Sequence, residues 1–349
     1  MINVLVVDDS AFMRKLFLET INSESELNVV DTARNGVQAL EKVEELNPDI
    51  ITLDIEMPKL DGLKTLEKLQ KKHPCLPVLM VSALDNRDTV MKALDMGAFD
   101  FIPKPSGSIS LEIDDIEKDL IEKIKAGATS NPNAKKRKCQ QVDIDSSTPT
   151  KTTRKKISQK EFPVIAMGAS SGGPKAIKEI LGALPANLPA GMAIVQHMPA
   201  GFTTSLAQRL DQETNLNVKE AENGDEIKPD SVLLAPGDYH MHFSENGVNL
   251  DKSPKQWGVR PCVDYMMSSL APIYQDRLIG VILTGMGSDG GEGMKAIKKH
   301  EGYGIVEDES SALVYGMPRT VIKTGAYDEI LPRSKIPQTL VKLIERREV

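Results

Sequence analysis

In the first 125 residues, short apolar runs alternate five times with stretches whose apolar residues recur at helical spacing, and this alternation most constrains the fold. The strand-like runs are 2–7, 27–32, 49–53, 77–82 and 99–102. The helical stretches are 11–22, 36–46, 63–72, 87–96 and 111–125, with Val37, Leu40, Val43 and Leu46 typical of the spacing. Five strands alternating with five helices predict a doubly wound five-stranded parallel sheet, which binds ligands beyond the carboxyl ends of its strands. A chain of 349 residues exceeds one ordinary core, so a second domain is expected. From 161 onward the α/β pattern resumes, with strands ending before Gly168, at Val195-Gln196, at Leu233–Ala235 and at Val281–Leu283. A β-hairpin region near 230–251 interrupts it, so the second sheet is read as mostly parallel. The helix expected over Gly172–Leu184 opens on glycines and Pro174, which suits a first helical turn.

Three segments follow: a domain over 1–125, a linker over 126–160 and a domain over 161–349. The linker opens turn-rich and then carries nine basic residues (135–138, 151, 154–156 and 160) against Asp143 and Asp145. It holds too few apolar residues to form a core and reads as flexible. The run Lys135-Lys136-Arg137-Lys138 matches a localisation or nucleic-acid tract, but charge runs in linkers are more often only solvated. A net charge of −7 and 4% aromatic residues argue against a general nucleic-acid binder. No apolar run reaches the roughly 18 residues needed to span a bilayer, and the first residues show no leader pattern. The three cysteines, Cys75, Cys139 and Cys262, are scattered and fit a reducing cytoplasm rather than a disulfide framework or metal cluster.

Asp8 and Asp9 close the first strand and Asp54 closes the third. In a doubly wound sheet those strand ends are neighbours, so three carboxylates converge. Oxygen-only ligands of like charge suit Mg²⁺. Ser82 ends the fourth strand and Lys104 follows the fifth, placing a hydroxyl and an ammonium beside Asp54 as a phosphoryl site would need. A single strand-end aspartate is more often a helix cap; five such groups at the right strand ends are not. With these residues, 1–125 resembles a response-regulator receiver domain. The resemblance implies phosphorylation at Asp54, Mg²⁺ held by Asp8, Asp9 and Asp54, phosphoryl contacts from Ser82 and Lys104, and an aromatic switch at Phe101.

In the second domain, Gly168-Ala169-Ser170-Ser171-Gly172 follows the apolar run 162–167. This G-x-S-x-G pattern exposes a serine on a sharp turn after a strand. His197 ends another strand in Gln196-His197-Met198-Pro199 and is a candidate base for Ser170. Asp289, in Thr284-Gly285-Met286-Gly287-Ser288-Asp289-Gly290, is a candidate orienting acid, though an aspartate before glycine is as readily a turn residue. Gly285-x-Gly287-x-x-Gly290 also matches a dinucleotide fingerprint, with Glu307 and Asp308 about twenty residues on. Asp289 would put a carboxylate where the pyrophosphate should sit, which weakens that reading. His240 and His242 alternate on a strand and face one side as metal ligands can, but no third ligand is evident and a structural role is favoured. Ser171 lies off the centre of the two-glycine frame, so Ser170 is preferred as nucleophile.

The order Ser170, His197, Asp289 differs from the serine–acid–histidine order of α/β-hydrolases. A receiver followed by Gly168–Pro174, Gln196–Pro199, Leu234–Met241, Leu283–Gly290 and Gly316–Arg319 closely resembles the chemotaxis protein-glutamate methylesterase/glutamine deamidase family (CheB). Ser171 and Cys262 stand where relatives often carry threonine and serine. The resemblance implies a phosphorylation-controlled serine hydrolase that demethylates glutamate methyl esters and deamidates glutamines on chemotaxis receptors. It carries over to Ser170 as nucleophile, His197 as base and Asp289 as orienter, with no cofactor for the hydrolase. Backbone N–H groups near Ser171 and Met286 are the oxyanion candidates. The implied partners are methyl-accepting receptors as substrate and a chemotaxis histidine kinase as phosphodonor, with neither nucleic acid nor membrane insertion. The alternative class is a non-enzymatic response regulator that binds a partner or nucleic acid through its basic linker.

Overall fold

The central strands of the first sheet are apolar on both faces because helices cover both, as parallel sheets require. The computed structural model describes residues 1–83, 86–104, 110–130 and 162–347, which fall into two units. In the first, the chain runs β1 (Ile2–Val7), α1 (Ala11–Asn22), β2 (Leu27–Ala33), α2 (Gly36–Leu46), β3 (Ile50–Asp54), α3 (Gly62–Lys72), β4 (Val78–Ser82), α4 (Arg87–Asp95), β5 (Asp100–Pro103) and α5 (Ser110–Ala128). All strands pair in parallel in the order β2-β1-β3-β4-β5, the doubly wound sheet expected from the alternation. Ser10, Asn35 and Asp61 cap α1, α2 and α3 by accepting backbone N–H bonds. The strand order reverses at β1, and Val7 pairs with Leu53 across β1 and β3. That register sets the residues after β1 beside Asp54. Helix α5 runs through Ala128, so the first three residues of the expected linker are helical; 131–160, with the basic run, lies outside the described residues.

The second unit contains β6 (Val164–Ala169), α6 (Gly173–Gly182), β7 (Gly191–Gln196), α7 (Phe202–Glu213), β8 (Asn217–Glu220), β9 (Ser231–Leu234), β10 (His240–Ser244), β11 (Gly247–Asp251), α8 (Val263–Tyr274), β12 (Leu278–Ile282), α9 (Gly291–Lys299), β13 (Tyr303–Glu307), α10 (Met317–Thr324), β14 (Glu329–Leu331) and α11 (Ile336–Arg347). Seven strands pair in parallel in the order β14-β13-β12-β6-β7-β9-β8. The large sheet is thus wholly parallel, and among the described residues antiparallel pairing occurs only in a separate hairpin, β10–β11, and an isolated bridge between Gln256 and Val259. The hairpin is narrower than the 230–251 expected from sequence, because β9 joins the large sheet. Strands β6, β7 and β12 are buried along their whole length, with Met266, Met267 and Leu270 of α8 among the buried core residues of this unit. β6 lies between β12 and β7, so the strand order reverses beside it. In open α/β sheets the crevice at such a switch point is where ligands bind.

Candidate active site and acidic pocket

Both sheets place their chemistry at a switch point. In the first unit, one carboxylate oxygen from each of Asp8, Asp9 and Asp54 lies within 4.8 Å of the others. Lys104 Nζ stands 2.8 Å from Asp54 Oδ2 and 3.1 Å from Asp8 Oδ2. Apart from that ion pair, neither buried Oδ2 has a hydrogen-bond donor among the described residues. Three carboxylates against one ammonium, with acceptor oxygens left over, fit a hard divalent cation. Burial pushes the Asp54 carboxyl up to about 6, with the Asp8 charge adding to the rise and Lys104 opposing it. Burial raises Asp8 as well, again against Lys104. Ser82 and Lys104 meet at the same rim, where Lys104 N donates to Ser82 O at 2.7 Å. The Ser82 hydroxyl itself donates to Ala83 O, and Phe101 is buried.

A carboxyl whose folded pKa exceeds its ordinary 3.8 binds its proton more tightly folded than unfolded. The stability it contributes is complete below that ordinary value and is lost as pH rises through about 6. In metal-free buffer, Asp54→Asn is therefore expected to gain stability over wild type as pH rises from about 4 to about 7. Urea denaturation followed at several pH values measures the gap; a gap independent of pH would contradict it.

In the second unit Ser170 sits one residue beyond β6, and Gly172, at φ +78°, supplies the left-handed turn into α6. Ser170 N donates to Thr284 O at 3.0 Å, while Ser170 O accepts from Gly173 N at 2.7 Å and Gln196 Nε2 at 2.9 Å. His197 follows β7, and its N donates to Ala169 O at 3.1 Å, tying it to the serine turn. His197 Nε2 lies 2.8 Å from Asp289 Oδ2. Asp289 is buried after β12 and also accepts from the backbone N–H groups of Val263 (2.6 Å), Asp264 (2.9 Å) and Gly290 (2.9 Å) and from the Cys262 thiol (3.1 Å). Burial works to raise its pKa. The His197 ring and the Val263 amide outweigh that and hold the carboxyl below the ordinary range. Burial and the neighbouring Asp289 charge push the Cys262 thiol up, so it remains a donor. Ser171 is buried with its hydroxyl 3.5 Å from Met286 Sδ, which brings the two oxyanion candidates together.

Gly285 is a close-approach position. A Cβ there would come within 2.8 Å of Ser170 Cβ and 2.3 Å of Met317 Sδ. Gly285→Ala is expected to push the serine aside and cost about 100-fold in turnover, the usual consequence of a displacement near 1 Å. Steady-state hydrolysis at saturating substrate checks this, and a rate within twofold of wild type would contradict it.

The dinucleotide reading of Gly285–Gly290 is overturned. The first-turn N–H groups of α9 are already taken by carboxylates: Gly290 N donates to Asp289 and Asp264, and Gly293 N to Asp264 at 2.7 Å. The acidic residue downstream, Glu307, is fully buried and engages Arg333, leaving it no access to a ribose. The histidine pair is also occupied: His240 Nε2 meets Pro254 O, His242 Nε2 meets Asp251 at 2.7 Å, and both rings pack on Tyr265. Sequence reasoning missed Asp264. It is buried behind Asp289, raised by burial and by the Asp289 charge, and bonded through Oδ2 to the indole N–H of Trp257. Also missed were Gln196 and Thr284, whose only sequence signal is a strand end beside a catalytic motif. Among the described residues, no helix is long and apolar enough to cross a membrane.

A receiver-type sheet with an acidic pocket at its switch point, in one chain with a parallel sheet carrying serine, histidine and aspartate at its own, defines a response regulator with a hydrolase-type output unit. Residues 4–113 match the response regulator receiver domain model, and residues 165–340 match the CheB methylesterase model. The chain belongs to the CheB methylesterase family. It is 44% identical over 350 residues to a protein-glutamate methylesterase/protein-glutamine glutaminase of Pyrococcus abyssi, covering 99% of this chain and 94% of that one. The Thermotoga maritima protein of the same description is 44% identical, covering 98% of each chain. The crystal structure of the Thermotoga maritima CheB methylesterase catalytic domain superposes with a TM-score of 0.51 at 46% identity, covering 52% of this chain and 99% of that one.

Proposed function

We propose that the second unit hydrolyses glutamate methyl esters, and deamidates glutamine side chains to glutamate, on methyl-accepting chemotaxis receptors, with Ser170 as nucleophile, His197 as base and Asp289 as orienter. The observation that carries the reading is the 2.8 Å contact between His197 Nε2 and a buried, ionised Asp289, at the strand end adjoining Ser170. Asp289 holds the proton on Nε2, so Nδ1 keeps the lone pair that takes the serine proton. Ser170 Oγ then adds to the ester carbonyl, and backbone N–H groups near Ser171 and Met286 meet the oxyanion. The imidazolium returns its proton to the departing methoxide, releasing methanol and leaving an acyl-serine. Water, deprotonated by His197, hydrolyses it to glutamate. With glutamine the leaving group is ammonia.

The first unit supplies control. Asp54 accepts a phosphoryl group from a chemotaxis histidine kinase. Asp8, Asp9 and Asp54 would hold Mg²⁺, which neutralises charge among the carboxylates and phosphoryl oxygens. Lys104 and Ser82 contact the phosphoryl group, and its added charge draws them inward and repacks Phe101. The substrates and the scattered cysteines agree on a cytoplasmic location. Methanol release from methylated receptor is expected to rise at least several-fold with a small phosphodonor and Mg²⁺, and Asp54→Ala is expected to abolish the response. Equal rates with and without phosphodonor would refute phosphorylation control while leaving the esterase reading intact.

A further inference from the structure

Besides Gln196, the nucleophile turn is held by Thr284, and all three polar groups of Thr284 are engaged. Its carbonyl accepts from Ser170 N at 3.0 Å, and its hydroxyl donates to Ser171 O at 2.9 Å. Its own N–H donates to Glu307 Oε2 at 2.8 Å. Thr284 and Glu307 are both fully buried. Glu307 closes β13, the strand next to β12, so its carboxylate lies alongside the segment that leaves β12. The second oxygen, Oε1, accepts from Arg333 Nε at 2.9 Å and Ser311 Oγ at 3.0 Å. Arg333 also donates to Ser311 O, and its Nη1 reaches Glu179 Oε2 at 3.0 Å. Glu179 lies on α6, the helix that starts three residues after Ser170.

We propose that Glu307 and Arg333 are positioning residues for the acyl transfer, acting through Thr284 to hold the Ser170–Ser171 turn and the Gly285–Met286 segment in register. A buried ion pair contributes little net stability compared with apolar residues of similar volume. What it supplies here is direction: a carboxylate whose Oε1 is fixed by Arg333 Nε and Ser311 Oγ presents Oε2 to one N–H at one place. Arg333 also neutralises a negative charge that would otherwise lie behind the site where an oxyanion forms. From Thr284 the constraint reaches both sides of the site. The Thr284 carbonyl and hydroxyl set the nucleophile turn, and the next residue, Gly285, bonds through its carbonyl to Gly316 N and Met317 N at the start of α10. The acid downstream of the glycine motif therefore belongs to the hydrolase, not to a nucleotide site.

This inference rests on the proposed role of Ser170, and the test separates the two. In the full chain, Thr284→Val keeps the volume but removes the hydroxyl that holds Ser171 O. Thr284→Ser restores it. Glu307→Gln keeps an acceptor for Thr284 N but loses the charge that orients Arg333. Thr284→Val and Glu307→Gln are expected to lower kcat for methanol release about 30-fold or more, with KM within about twofold, since misplacement near 1 Å costs on the order of 100-fold. Thr284→Ser is expected to stay within about threefold of wild type, as an intact hydroxyl bond requires. Wild-type kcat in both Thr284→Val and Glu307→Gln would overturn the inference, as would an equal loss in Thr284→Ser and Thr284→Val. If Glu307→Gln does not fold, Arg333→Lys takes its place, keeping the positive charge but losing the contacts to Ser311 O and Glu179, and wild-type kcat there would overturn the inference. Activity that survives Ser170→Ala would instead overturn the reading of the nucleophile itself.

Discussion

Ser170→Ala is expected to reduce methanol release from methylated receptor by about four to six orders of magnitude, the range seen when a serine nucleophile is removed. Structure should survive the change. The contacts Ser170 makes through its backbone, to Thr284, Gly173 and Gln196, do not involve the hydroxyl, and alanine fits wherever serine does. The residual rate would come from the oxyanion donors and from binding, which act without a nucleophile. Circular dichroism and thermal melting should match wild type, while a serine-directed fluorophosphonate that labels the wild-type chain should no longer label the variant. Near-normal methanol release from the variant would sink the acyl-serine mechanism.

Asp289→Asn is expected to cost about 1,000- to 10,000-fold in kcat, and it should also destabilise the fold by about 2 kcal/mol or more. The catalytic loss follows from the tautomer. An amide nitrogen turned toward His197 would favour a proton on Nδ1 rather than Nε2, removing the lone pair that receives the serine proton. The stability loss follows from the donors. Three backbone N–H groups, a thiol and the imidazole converge on the two Asp289 oxygens, and an amide offers one oxygen to meet them. Either the ring or the backbone donors must then face an NH₂ group. Kinetics at saturating substrate together with urea denaturation measure both losses. A variant within tenfold of wild type in kcat would show that Asp289 does not set the histidine tautomer.

The receiver half was readable because its chemistry sits at strand ends, and strand ends can be read from apolar runs. Asp8 and Asp54 are 46 positions apart in the chain but adjacent in space, since Val7 pairs with Leu53 across neighbouring strands. The same reasoning placed Ser170, His197 and Asp289 beyond β6, β7 and β12 at one rim. It did not reach Asp264, Gln196, Thr284 or the Glu307–Arg333 pair. No local pattern separates a buried acid that supports a site from one that caps a helix. Asp264 does both, bonding N–H groups at the start of α9 while lying behind Asp289. Glu307 was even legible for the wrong reason, at the interval where a ribose-binding acid would stand; only its burial against Arg333 and Thr284 assigns it.

What the sequence determined by itself was the periodicity and therefore the two parallel sheets, with the reactive side chains at their carboxyl ends. Side-chain alternation and helix spacing are local properties, and parallel strands with crossover helices admit few topologies. What only the tertiary structure decided was strand order and, with it, which polar groups share a proton. Whether Asp289 is an acid against an imidazole or a cap on a helix depends on β12, β6 and β7 lying side by side. That adjacency arises from burying apolar faces hundreds of atoms across, an energy spread over the whole core and written in no single motif.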